Sequence, residues 1–115
     1  MKNILIVLGS SILGLDLRRH ILKMGHQSIY KDDNNKIEQF IEQYDYDLLI
    51  TTFNSDLVKI LSDKLKYAKK PVLFLSNTIV STIKLDEIKI NWDLLSIPVD
   101  FNEFDLRFNK LLQRK

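Results

Sequence analysis

The chain has 115 residues, 45% of them hydrophobic and 28% charged, with 17 basic and 15 acidic side chains for a formal net charge of +2. That size and balance describe one ordinary globular domain over residues 1–115, neither disordered nor membrane-spanning, and acids interspersed among the lysines leave no basic field of the kind nucleic acid demands. The absence of cysteine excludes disulfides, thiolate metal sites and cysteine nucleophiles and suits a cytoplasmic protein, and no apolar run approaches the roughly 20 residues of a membrane span.

Ile4 to Leu8 form an unbroken apolar run that ends at Gly9-Ser10-Ser11. A run this short, bounded by small residues, reads as a strand buried on both faces. It leads into a helical pattern carrying Asp16, Arg18 and Arg19, so it is a first strand rather than a signal peptide. In that helix Ile12, Leu15, Ile21 and Leu22, with Met24, are expected to face inward, and Gly25 to stop it.

Ser28-Ile29-Tyr30 reads as a short second strand ending at Lys31-Asp32-Asp33. Asn34 or Asn35 is placed to cap a second helix, whose Ile37, Phe40, Ile41 and Tyr44 recur at i, i+3, i+4, i+7. Asp47 to Thr52 reads as a third, buried strand. Asn54 or Ser55 caps a third helix with Leu57, Ile60, Leu61, Leu65 and Ala68 inward, closed by Lys69-Lys70 and by Pro71, which forbids its continuation. Pro71 to Leu75 forms the fourth strand.

From Ser76 to Ile90 the apolar spacing is irregular and Thr, Ile and Val are poor helix formers, so a short, loosely held fourth helix is expected. Asp93 to Ile97 reads as the fifth strand, followed by Pro98. Asp100 and Glu103 suggest a capping box for a last helix with Phe101, Phe104, Phe108, Leu111 and Leu112 on one face. Strands alternating with helices imply a parallel sheet covered on both faces.

This order and these spacings resemble the receiver domain of two-component response regulators over essentially the whole chain. The run from Ile4 to Thr52 lays onto the receiver pattern without a gap. The stretch Asp93-Leu94-Leu95-Ser96-Ile97-Pro98-Val99-Asp100, with Glu103-Phe104 after it, is similar to the receiver segment in which a switch aromatic precedes a Lys-Pro pair. The resemblance implies a three-layer, doubly wound, flavodoxin-like α/β fold with strand order 2-1-3-4-5. It also places the receiver pocket on particular residues. The acidic pair that holds magnesium falls on Leu8 and Gly9, with Ser10 next, and the phosphoacceptor aspartate on Thr52. The hydroxyl residue matches at Ser76, the switch aromatic falls on Leu94 and the lysine on Ile97. Every charged position is replaced, so the expectation is a degenerate pseudo-receiver: no enzyme, no cofactor, no metal, packed apolar side chains where the charges stood. The segment from Thr52 to Pro71 is also shorter than in ordinary receivers.

A module of this kind acts through protein contacts. The resemblance points to a protein partner or a homodimer on the face of the fourth helix, fifth strand and last helix, with no membrane and no nucleic acid. Trp92 and Leu106 are the candidate anchors, although Trp92 also fits a half-buried strand edge. A rival reading takes Gly9-x-Ser11-x-x-Gly14 as an imperfect dinucleotide fingerprint, with Asp32 holding a ribose in an NAD(P)- or nucleotide-binding domain. It requires strand order 3-2-1-4-5. His20 and His26 read as a surface helix residue and a helix-end residue rather than a metal pair.

Overall fold

The computed structural model describes residues 1–65, 70–76 and 90–113, and Ser55 by its backbone only. Five strands, β1 (Asn3–Val7), β2 (Gln27–Lys31), β3 (Leu48–Thr52), β4 (Val72–Ser76) and β5 (Trp92–Ser96), form one sheet. Its order is β2-β1-β3-β4-β5 and every pair is parallel. Four α-helices are described, α1 (Ser11–Lys23), α2 (Ile37–Gln43), α3 (Ser55–Leu65) and α4 (Phe101–Gln113). The fourth helix expected between Ser76 and Ile90 lies, apart from its two ends, outside the described residues.

Strand alternation divides the core into two layers. Ile4, Ile6 and Leu8 turn to the side of α1 and α4, where Leu17, Ile21, Phe104, Phe108 and Leu111 bury them. Leu5 and Val7 turn the other way, against Ile37 of α2 and Leu57, Leu61 and Leu65 of α3. Because β1, β3 and β4 are covered on both faces, their sequences are near-continuous apolar runs. Burying each of the three largest rings, Phe74, Phe104 and Phe108, contributes about 2–3 kcal/mol.

The strand bounds fall within a residue of expectation, but the phase of α1 differs. Ile12, Leu15 and Leu22 are 77%, 50% and 69% exposed, while Gly14, Leu17 and Ile21 are buried. The inward stripe runs through a glycine, and a count of apolar side chains alone passes over it. Gly14 is there because a Cβ would lie 2.3 Å from the Tyr30 ring, so helix and strand approach over the bare backbone. Gly25, at φ +88°, ends α1 as expected: its N–H donates to Leu22 O and the His26 N–H to Ile21 O.

Two caps differ in detail. Asp33, not Asn34 or Asn35, accepts from Asn35 N–H and opens a short 3-10 turn ahead of α2. Asp100 accepts from Asn102 N–H at the start of α4, but Glu103 turns away to Arg107 instead of closing the box. Arg107 also reaches Asp93 at 2.6 Å, tying α4 to β5. Asn54 caps α3 through Asp56 N–H and Leu57 N–H.

Candidate functional site

Parallel strands bring their carboxyl ends to one edge, and in such sheets that edge is where ligands bind. Here it is made of Leu8-Gly9-Ser10 after β1, Thr52 at the end of β3, Ser76 at the end of β4 and Ile97 after β5. The structure therefore gathers these predicted positions at one mouth. Their side chains do not present a charged pocket. Leu8 is 2% exposed and belongs to the α1–α4 core layer, against which Ile97 also packs. Leu94 packs half-buried on the opposite layer. Gly9 and Ser10 are exposed; the Ser10 hydroxyl accepts from Leu13 N–H at 3.3 Å and so caps α1.

Hydrogen bonding at the mouth is largely internal. Thr51 Oγ1 donates to Val7 O at 2.9 Å, and the Tyr30 hydroxyl donates to Leu8 O at 3.0 Å. Burial, and then the negative charge of Asp32, raise the Tyr30 phenol above its ordinary value, which keeps it a donor. Ile97 N–H donates to Ser76 O at 2.8 Å and continues the β4–β5 ladder past the strand end; the Ile97–Pro98 peptide is cis. Thr52 is half-buried and Ser76 buried. The β1 and β3 loops bring no carboxylate, since Leu8-Gly9-Ser10 and Phe53-Asn54 contain none. Among the described residues no group of three or more His, Asp or Glu side chains is placed to hold a metal ion.

No protein-family model and no curated protein matches the sequence. Solved structures do match over nearly the whole chain. The receiver domain of the Francisella response regulator 1452 superposes with a TM-score of 0.83 at 20% identity, covering 99% of this chain and 98% of that one. The non-phosphorylated HemR receiver domain of Leptospira biflexa gives 0.82 at 18%, over 100% and 97%. The response regulator TrrA of Thermotoga maritima, in complex with Mg²⁺-BeF, gives 0.80 at 15%, over 96% and 99%. The fold is that of response-regulator receiver domains. The order 2-1-3-4-5 is not the 3-2-1-4-5 order that the dinucleotide reading needs: that topology has a further strand beyond β2, whereas β2 is the sheet's edge. Of that reading's residues, Gly14 is accounted for by Tyr30, while Gly9, Ser11 and Asp32 are exposed.

The remaining candidates fall elsewhere on the receiver fold. Trp92 is half-buried and packs edge-on to Phe74 at 6.2 Å, which fits the strand-edge reading. Leu106 is 73% exposed on α4. His20 is not a plain surface residue: its Nε2 lies 2.6 Å from Asp105 Oδ1 and its ring packs on Phe101 and Phe104, clasping α1 to α4. Its partner is 85 residues away, and no local pattern announces it. His26 Nδ1 accepts from Lys2 N–H. No helix among the described residues is long and apolar enough to cross a membrane.

Proposed function

We propose that this chain is a receiver-fold signalling module that works through protein contacts, without phosphorylation and without catalysis of its own. One observation carries the reading: the positions that the receiver resemblance assigns to acids, aspartate and lysine hold Leu8, Gly9, Thr52 and Ile97, and two of these are packed into the core. Mg²⁺ takes hard oxygen ligands, and the loops after β1 and β3 offer no carboxylate. A threonine hydroxyl is a weak nucleophile unless a base or a lowered pKa activates it, and among the described residues no hydrogen bond from a base to the Thr52 hydroxyl is seen. With no phosphoryl group to bias two conformations, such a module is switched only by a partner that binds one of them more tightly, or is held in one state.

The surface that fits this role is built from β5 and α4, where Leu106 stands in solvent as the anchor for a protein partner and the half-buried Trp92 of β5 is the second candidate. A cytoplasmic setting goes with the cysteine-free sequence. Incubation with acetyl phosphate and Mg²⁺, followed by intact-mass spectrometry, tests the chemical half. The expected spectrum is that of the unmodified chain, and stoichiometric phosphate on Thr52, Ser76 or any neighbour at the mouth overturns the reading.

A further inference from the structure

The apolar residues that α1 leaves outside form a seam. Ile12, Leu15, Arg19 and Leu22 recur at intervals of three, four and three, so they share one stripe of the helix, and all four are exposed. The stripe faces the same flank as β2. A groove of about 700 Å³ is lined there by Leu15, Arg19 and Leu22 of α1 and by Gln27, Ser28 and Ile29 of β2.

The β2 strand has an open edge. Gln27 N–H donates to Lys2 O and Lys31 O accepts from Leu8 N–H, so residues 27, 29 and 31 turn their main-chain groups to β1. By alternation the main-chain groups of Ser28 and Tyr30 point outward, and among the described residues neither is hydrogen-bonded. Ile29, on the α2 side of the sheet, is 38% exposed at the same edge.

We propose that a second copy of this chain pairs antiparallel along β2, about a twofold axis through Ile29, joining the two sheets into one and packing α1 against its twin. Three features of the chain are self-complementary about that axis. The first is backbone bonding. Pairing centred on residue 29 places Ser28 opposite the partner's Tyr30, the two residues whose N–H and C=O face outward, and they exchange both hydrogen bonds. Ile29 then meets the partner's Ile29 as a non-hydrogen-bonded pair with Cα atoms about 4.5 Å apart.

The second is helix spacing. α1 packs over β1 and β2, and strands lie about 4.8 Å apart, so the twofold sets the two α1 axes about 10 Å apart, the distance of packed helices. The third is register and charge. Gly14 lies against Tyr30, and a rise of about 1.5 Å per helical residue against about 3.3 Å per strand residue puts residues 16 and 17 level with Ile29. An antiparallel seam centred there sets Ile12 against the partner's Leu22 and Leu15 beside the partner's Arg19. It also brings Arg19, now 3.8 Å from its own Asp16, next to the partner's Asp16. The charges on the seam thus alternate in sign across the axis. This interface is separate from the β5–α4 surface, and it stands whether or not the mouth is silent.

The cysteine-free chain makes a direct test possible. Sedimentation equilibrium of the wild type should show twice the 13.5 kDa chain mass. Under mild oxidation Ile29→Cys should form a disulfide-linked dimer, because a residue on the axis faces its own copy within the roughly 4.4–6.8 Å Cα span of a disulfide. Leu106→Cys, on α4, should not cross-link. Leu15→Lys with Leu22→Lys should raise the dimer dissociation constant by about 100-fold or more, on the order of tenfold for each buried anchor lost. Ser28→Pro removes an outward N–H that β1 does not use and should weaken the dimer with the circular dichroism unchanged. A wild type that stays monomeric to its solubility limit overturns the proposal, as does cross-linking through Leu106→Cys in place of Ile29→Cys. A strand from another protein on this edge would appear as the first of these results.

Discussion

The mouth of the sheet and its β2 edge carry the same kind of residue with opposite fates. At the mouth, Leu8 is buried in the α1–α4 layer and Ile97 packs against it. At the edge, Ile29 of β2 and Ile12, Leu15 and Leu22 of α1 stay in water, although Leu15 and Leu22 each stand next in sequence to a residue of the buried stripe of Gly14, Leu17 and Ile21. Apolar residues packed at the carboxyl ends of the strands add to stability. Apolar residues left outside cost solubility unless something covers them. The difference separates apolar residues that the core takes up from apolar residues that the fold leaves uncovered.

The largest effect is expected from a charge placed at the mouth. Leu8→Asp buries an unpaired carboxylate in the α1–α4 layer, and should lower stability by about 3–5 kcal/mol in urea titration. A variant that folds normally and binds Mg²⁺ would mean that the mouth keeps the room of a working pocket.

A second test lies in the layer beneath the edge. Tyr46 is buried beside the Lys70 ammonium, its hydroxyl has no hydrogen-bond partner among the described residues, and burial pushes the phenol up to about 12. The folded state therefore holds this proton more tightly than the unfolded chain, whose phenol titrates near 10. The stability it confers is whole below pH 10 and is lost as pH rises from 10 to 12, by roughly 2 kcal/mol. Tyr46→Phe should lose that alkaline component and gain about 1 kcal/mol at neutral pH by removing an unsatisfied group, measured as the difference between the two urea midpoints at each pH. Identical pH profiles for the two chains would mean that the hydroxyl is solvated.

The smallest effect sharpens the other side. At concentrations where the chain is monomeric, Leu15→Lys with Leu22→Lys should change stability by no more than about 0.5 kcal/mol, since both side chains already stand in water. A loss of several kcal/mol would place them in the monomer's own core.

What the sequence made legible follows from how local each cause is. The buried strands β1, β3 and β4 are readable because burial on both faces leaves continuous apolar runs, and the α4 stripe of Phe104, Phe108 and Leu111 because its period is uninterrupted. The α1 face was not, because its inward row passes through Gly14, whose reason is an aromatic ring on another element. The mouth residues were identified by resemblance alone: nothing in Leu8, Thr52 or Ile97 taken singly says that a pocket is expected there. His20 with Asp105, and Arg107 with Asp93, are pairings made by the folded layers, so no spacing in the chain predicts them.

Whether the mouth of this receiver fold is chemically closed, as proposed, is decided by amide NMR with a phosphoryl mimic. Titration of the ¹⁵N-labelled chain with Mg²⁺ and beryllofluoride should leave the amide resonances of Gly9, Ser10, Thr52, Phe53, Ser76 and Ile97 where they were. Saturable shifts clustered on those residues would show a pocket that still receives a phosphoryl group, and would contradict the proposal.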